Sequence, residues 1–206
     1  MDKQTKTFFI NQPFLILLVG IPGCGKTFFA EKFAETFSTP LINLNDLRFE
    51  LFDEPDFSKK EENYLEKISH LLLPELMRSR RAIMIEGGLE ARSDRMAYRR
   101  IANDNGYETV VVWVQNTEST SRMRSVRKSK AIPRKYNLTN EQFDTMVKRF
   151  TAPNVRENPV VISGNHTFST QAKGVLRRLA RPDQNIRTYR RTATMPPNND
   201  KKRKYI

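Results

Sequence analysis

The residues best able to do chemistry stand together at Gly20-Ile21-Pro22-Gly23-Cys24-Gly25-Lys26-Thr27, a full match to G-x-x-x-x-G-K-[ST]. Glycines at 20, 23 and 25 permit backbone conformations that other residues resist. Successive N–H groups can then converge on a β-phosphate at the positive end of a helix starting at Lys26. Lys26 is placed to reach the β- and γ-phosphates, and the Thr27 hydroxyl to ligate Mg²⁺. Such a nucleotide site fits a kinase, a GTPase or a motor alike. No guanine-selecting N-K-x-D occurs, and 206 residues is short for a mechanical ATPase. Cys24, the single cysteine, fills a spacer position and cannot form an internal disulfide, so a reducing cytoplasm is the expected location.

The other candidates are dispersed along the chain. Leu44-Asn45-Asp46-Leu47-Arg48 is a polar stretch after an apolar run, and Glu86 ends the apolar run Ile83-Met84-Ile85 just before Gly87-Gly88. A carboxylate at that position can hold a magnesium-bound water or act as a base. Between Arg122 and Lys135 lie seven basic residues (Arg122, Arg124, Arg127, Lys128, Lys130, Arg134 and Lys135) and no acid, whereas a solvated helix face normally mixes its signs. That segment suits phosphates, on a nucleotide or on a nucleic acid. No Cys/His cluster has metal-site spacing, so magnesium arriving with the nucleotide is the one metal implied. His70, in an apolar helical stretch, reads as structural and His166 as a surface residue.

These residues need a scaffold of alternating strands and helices. Strands are expected at Phe14 to Val19, Leu41 to Asn43, Ala82 to Glu86, Thr109 to Val114 and Pro159 to Ser163. Phe29, Phe33 and Phe37, flanked by Ala30 and Ala34, recur at helical spacing and predict a helix over Lys26 to Phe37 with one buried face. Further helices are expected at Glu61 to Arg80, interrupted or kinked at Pro74, at Ser93 to Asn105 and at Gln171 to Leu179. Short β-rich runs alternating with amphipathic stretches indicate an α/β fold with a mostly parallel five-stranded sheet.

Composition agrees with one ordinary domain over residues 13–180, preceded by an extension over 1–12 and followed by a tail over 181–206. Hydrophobic residues make up 38% and charged residues 29%, which excludes collagen-like and wholly disordered classes. The longest apolar run, Phe14 to Val19, is far short of the ~20 residues of a membrane-spanning helix. No small-residue cleavage site follows the first apolar stretch, which argues against a secretory signal. The net charge is +13, and residues 181–206 carry eight basic and two acidic side chains, with Pro196-Pro197 and few apolar residues. That tail reads as disordered and suited to a polyanion.

The loop G-x-P-G-x-G-K-T, the polar stretch with Arg48, the segment Arg122 to Arg134 with Lys130-Ala131-Ile132-Pro133, and the spacing between them resemble the P-loop kinases related to polynucleotide 5′-hydroxyl kinase, often called AAA-type ATP-binding kinases. The resemblance covers roughly residues 13 to 153. It implies a P-loop NTPase three-layer fold with a parallel sheet of the nucleoside-kinase type, ATP with Mg²⁺, and transfer of the γ-phosphoryl group to a hydroxyl. Residues 20–27 are then the nucleotide-binding loop, with Lys26 also catalytic. The basic segment becomes a lid whose Arg127 and Arg124 close over ATP, with Arg122 an alternative to Arg124.

The family pattern after the second strand is D-x-x-R, an aspartate base and a phosphate-binding arginine. Here Arg48 fits and Asn45 stands in the aspartate position; an amide is no base at neutral pH, so Asp46 takes that expectation. Glu86 is expected as metal support, with Gly88 where relatives often carry Thr. Arg95 matches a family arginine that binds substrate, with pairing to a carboxylate as the alternative. The loop Ser163-Gly164-Asn165-His166-Thr167 is expected beside the adenine. The resulting reading is a phosphotransferase acting on a nucleic-acid end or a small metabolite. Its alternatives are a catalytically weakened nucleotide-binding regulatory module, attached to nucleic acid by its basic tail, and a toxin-type kinase of nucleotide sugars.

Overall fold

A computed structural model describes residues 13–126 and 137–180. The extension over 1–12, the tail over 181–206, Arg127 and the basic residues from Lys128 to Lys135 lie outside the described residues.

The strands are β1 (Phe14–Val19), β2 (Leu41–Asn43), β3 (Ile83–Glu86), β4 (Glu108–Gln115) and β5 (Val160–Ser163). They form a five-stranded sheet in the order β2-β3-β1-β4-β5, with every pairing parallel. A parallel sheet is covered on both faces, and β1 shows why its sequence is an unbroken apolar run. Phe14, Ile16 and Leu18 enter the core with α1 (Lys26–Phe37) and α7 (Phe168–Leu179). Leu15, Leu17 and Val19 enter the opposite core, under α3 (Lys59–Met77) and α4 (Arg92–Asp104).

The chain leaves β1 toward β3 and β2 on one side and places β4 and β5 on the other. The carboxyl end of β1 is therefore a topological switch point, where α/β sheets hold ligands.

Three short helices complete the described fold: α2 (Leu44–Leu51), α5 (Glu118–Val126) and α6 (Asn140–Arg149). The stretch after β2 is helical from Leu44, where the sequence reads as a polar loop. The side chain of Asn43 caps α2 by accepting from the backbone N–H groups of Asn45 and Asp46.

The interruption expected at Pro74 is also absent, since α3 runs unbroken from Lys59 to Met77 with Pro74 inside it. Leu65, Ser69, Leu73 and Met77, spaced every four residues, form its buried stripe. Packing that stripe against the sheet offsets the ~3 kcal/mol that an interior proline costs. Among the described residues no helix is long and apolar enough to cross a membrane.

Candidate active site

At the switch point, the glycine loop is held from both sides. Gly23 has φ +74°, and a Cβ there would lie 2.2 Å from the Ser121 carbonyl oxygen and 2.3 Å from Ser125 Oγ, so α5 is seated directly on the loop. Across the loop, a Cβ on Gly164 would lie 1.7 Å from the Cys24 carbonyl oxygen. Neither contact admits any other residue without movement of backbone, and together they fix the loop between α5 and the turn that follows β5. Cys24 is free and buried. Lys26 Nζ donates to the carbonyls of Gly20 (2.9 Å) and Ile21 (3.0 Å), which keeps the ammonium folded over the loop.

Thr27 and Glu86 come together from positions far apart in sequence. Thr27 Oγ1 donates to Glu86 Oε1 at 2.6 Å, while Glu86 Oε2 is buried without a hydrogen-bond partner. Burial pushes the Glu86 carboxyl above the usual carboxylate range; the Lys26 charge and the Thr27 hydrogen bond oppose that shift, and the charges of Asp46 and Glu31 add to it. Lys26, Thr27, Glu86 and Asp46 therefore share one electrostatic neighbourhood. The donor set fits a divalent ion carried by a nucleotide: a hydroxyl, a carboxylate with a spare buried oxygen, and, among the described residues, no group of three or more acids, histidines or cysteines that would bind metal alone.

Sheet register delivers Asp46 to this place. Asn43 is in register with Glu86 at the carboxyl ends of β2 and β3, and α2 begins immediately, placing Asn45 and Asp46 in its first turn. The cap of that helix is Asn43. Gly87 and Gly88 lie against Leu44, and a Cβ on Gly88 would lie 2.8 Å from Leu44 Cδ1. The positive φ of +63° at Gly88, together with that contact, favours glycine at this position.

Arg48, on α2, is only 7% exposed. Its guanidinium lies over the Phe57 ring at 4.5 Å, its Nε stands 3.6 Å from Glu61 Oε2, and that Nε has no hydrogen-bond partner. Glu61 also accepts from the backbone N–H groups of Asp56 (2.7 Å) and Phe57 (3.0 Å), clamping the loop before α3. Neither Glu61 nor Phe57 stands out in the sequence; the one signal is an acid in the first turn behind the cap Ser58.

Arg95 is placed differently. Its Nε and Nη2 donate to Glu157 at 2.6 and 3.0 Å, and its Nη1 to the carbonyls of Leu89 (3.0 Å) and Glu90 (3.2 Å). At 2% exposure it takes the carboxylate-paired alternative, turned into the fold. Arg122 pairs with Glu118 (3.0 Å) and Asp144 (2.5 Å) and lies over the Phe143 ring, tying α5 to α6. Of the lid arginines expected over the nucleotide, Arg124 is described: it donates to the Gly164 carbonyl (3.3 Å) and to Asn165 Oδ1 (3.0 Å).

Beside the loop, past Ile21, opens a cavity of about 750 Å³ at the carboxyl ends of β4 and β5. Val114 and Ile162 give it apolar wall, and Asn116, Ser163, Asn165 and Gln171 supply polar groups. His166 is exposed at its edge. His70 is remote from it, half-buried and packed edge-on against Tyr98.

Comparison with known proteins agrees with this geometry. No curated protein matches the chain. Among solved structures, a gluconokinase from Sinorhizobium meliloti superposes with a TM-score of 0.59 at 17% identity, over 87% of this chain and 98% of that one. The Mycobacterium tuberculosis APS kinase CysC, in complex with AMPPNP and APS, gives 0.57 at 14% identity, over 82% and 99% of the two chains. Kti12 of Chaetomium thermophilum, in complex with ADP-AlF3, gives 0.58 at 14% identity, over 80% and 96%. At such identities the likeness is one of fold, the three-layer α/β fold of P-loop kinases. The AAA_33 family, an AAA domain, matches residues 15–153, and this chain therefore belongs to that family.

Proposed function

We propose that the protein is an ATP-dependent phosphotransferase of the polynucleotide-kinase-like type, moving the γ-phosphoryl group of ATP to a hydroxyl on a nucleic-acid end or a small metabolite. The observation that carries this reading is the convergence of Thr27 and Glu86 at 2.6 Å beside Lys26, with one Glu86 oxygen left unpartnered. Mg²⁺ accompanying ATP would be held by the Thr27 hydroxyl and, through water, by Glu86, and would neutralise charge on the phosphates.

Lys26 exchanges its carbonyl partners for the β- and γ-phosphates. In the transfer, a bond forms between the acceptor oxygen and the γ-phosphorus while the bond to the β-phosphate oxygen breaks, releasing ADP. Asp46 takes the acceptor proton. Arg48 shares α2 with Asp46, and its buried Nε, which has no hydrogen-bond partner, supports a role in holding an anionic group of the acceptor. Arg127, from the segment outside the described residues, stabilises charge on the transferring group, and Arg124 lies at the base end. The basic lid and tail favour an acceptor or partner rich in phosphate.

Labelled ATP and Mg²⁺, offered against 5′-hydroxyl oligonucleotides and small alcohols, test the proposal. Transfer to one acceptor class is expected, with Asp46→Asn reducing turnover by ~10² to 10⁴ at unchanged ATP affinity. Asn45→Asp should leave activity level or raise it. ATP binding without transfer to any acceptor, in both the native chain and Asn45→Asp, would leave a nucleotide-binding module and no kinase.

A further inference from the structure

The two edges of the sheet carry opposite charge. On the β2 side, residues 44–77 hold nine acidic and four basic side chains; on the β5 side, residues 154–180 hold one acidic and four basic. That one acid, Glu157, is taken by Arg95 at 2.6 Å. It belongs to a single tight helical turn, Val155–Glu157, which leads into the edge strand β5 and touches the helices on both faces of the sheet. Toward one face, Glu157 holds the turn against α4, where Arg99 stands one helical turn beyond Arg95 and its charge acts on Glu157. Toward the other face, the turn meets α7: with the Asn158 carboxamide oriented to accept, Arg178 Nη1 and Nη2 donate to it at 3.2 and 3.0 Å. Gly174, one turn before Arg178, lies against Val160 and Ile162 of β5, and Lys173 and Arg177 form the neighbouring row on α7. Arg122 and Arg149 are paired with acids elsewhere in the fold, whereas Arg156, Lys173 and Arg177 are exposed and stand in no ion pair among the described residues.

We infer that this basic rim around β5 is a docking surface for a nucleic-acid strand, held by its phosphates and separate from the glycine loop. A single anion calls for converging donors, whereas a run of phosphates calls for charges spread along a surface. Arg99, Arg156, Lys173, Arg177 and Arg178, on α4, the turn and α7, are spread in that way around one edge. Four of the five are arginines, whose planar guanidinium meets phosphate oxygens two at a time. No exposed Phe, Tyr or Trp occurs in α4, in residues 154–158 or in α7, so the rim offers bases no ring to stack on, and recognition follows the backbone rather than the sequence. The acidic edge across the sheet repels the same strand, which turns the β5 side toward it. Docking there requires no group transfer, so the inference stands apart from the phosphotransferase reading.

Fluorescence anisotropy of a labelled single-stranded oligonucleotide, titrated with the full chain at salt from about 50 to 200 mM, tests the inference. One variant combines Arg156→Gln, Lys173→Gln and Arg177→Gln; a control combines Lys59→Gln, Lys67→Gln and Arg78→Gln, which removes the same charge from the α3 side. The rim variant should bind about tenfold or more weakly, and its slope of log K against log[salt] should be shallower by about 2, since each phosphate contact on a single strand contributes about 0.7. The control should stay within about threefold of the native chain with its slope unchanged, and oligonucleotides of different base sequence should bind the native chain within about the same factor. No binding by the native chain at the lowest salt, or equal losses in the rim variant and the control, overturns the inference. Unchanged oligonucleotide affinity in the rim variant, with a self-association of the native chain that the variant loses in sedimentation velocity, also overturns it: the rim then meets the acidic edge of a second copy.

Discussion

Two buried arginine–glutamate pairs flank the strands that end at the site, and they differ in how fully the arginine is used. Arg95 and Glu157 meet through two hydrogen bonds at 2.6 and 3.0 Å, and the remaining guanidinium nitrogen is taken by backbone carbonyls. Arg48 and Glu61 stand 3.6 Å apart, with Arg48 Nε unbonded and the ring of Phe57 beneath the guanidinium. Both glutamates are almost equally buried, 5% exposed at Glu157 and 6% at Glu61. Burial therefore does not separate a structural ion pair from one with spare capacity; the number of satisfied donors does. Arg95 ties the start of α4 to the segment before β5, whereas Arg48 keeps a desolvated donor on the helix that carries Asp46.

The largest effect should come from breaking the saturated pair. Glu157→Ala leaves a buried guanidinium without its carboxylate and should cost about 3–5 kcal/mol in a urea titration. ATP affinity should be retained under conditions where the variant is folded. Glu61→Ala should cost less, about 1–3 kcal/mol, since the carboxylate lost there is beyond hydrogen-bond reach of Arg48 and serves chiefly two backbone N–H groups. Equal losses in the two variants would erase the distinction.

A smaller effect is expected from pH. Burial by itself would raise the Glu157 carboxyl, but the hydrogen bond from Arg95, the Asn154 backbone N–H and the charges of Arg95 and Arg99 outweigh it and hold the group below the ordinary value of 4.5. A depressed folded value means that the stabilisation is complete above pH 4.5 and is lost as pH falls through the folded value. The difference in urea midpoint between the native chain and Glu157→Gln should be constant from pH 7 to about pH 5 and shrink at lower pH. A difference that holds undiminished into strong acid would mean that the charge on Glu157 contributes nothing.

The same contrast explains what the sequence reveals and what it hides. Phe14–Val19 and Lys26–Phe37 are found at the bounds that periodicity predicts, because an unbroken apolar run and a phenylalanine stripe each admit one packing. The glycine loop is legible because its chemistry is local: backbone conformation, ammonium and hydroxyl all lie within eight consecutive positions. Leu44–Leu51 is not legible as a helix from its apolar spacing. Its signal was the cap residue Asn43, which is easily passed over beside a polar stretch. No interruption appears at Pro74, because propensity is a local quantity and the buried stripe of α3 is a tertiary one. The divergent fates of Arg48 and Arg95 depend on Glu61, Phe57 and Glu157, contacts that no spacing in the chain announces.

The central claim is that the loop from Gly20 to Thr27 binds the triphosphate of ATP with Mg²⁺, and calorimetry on the native chain and on Lys26→Ala tests it most directly. Lys26 is the loop's own cation, now folded onto the Gly20 and Ile21 carbonyls, and its ammonium is the group aimed at the β- and γ-phosphates. The account predicts Mg²⁺-dependent binding by the native chain and loss of most of that affinity in Lys26→Ala, with the fold intact by circular dichroism. Equal ATP affinity in the two proteins would contradict it.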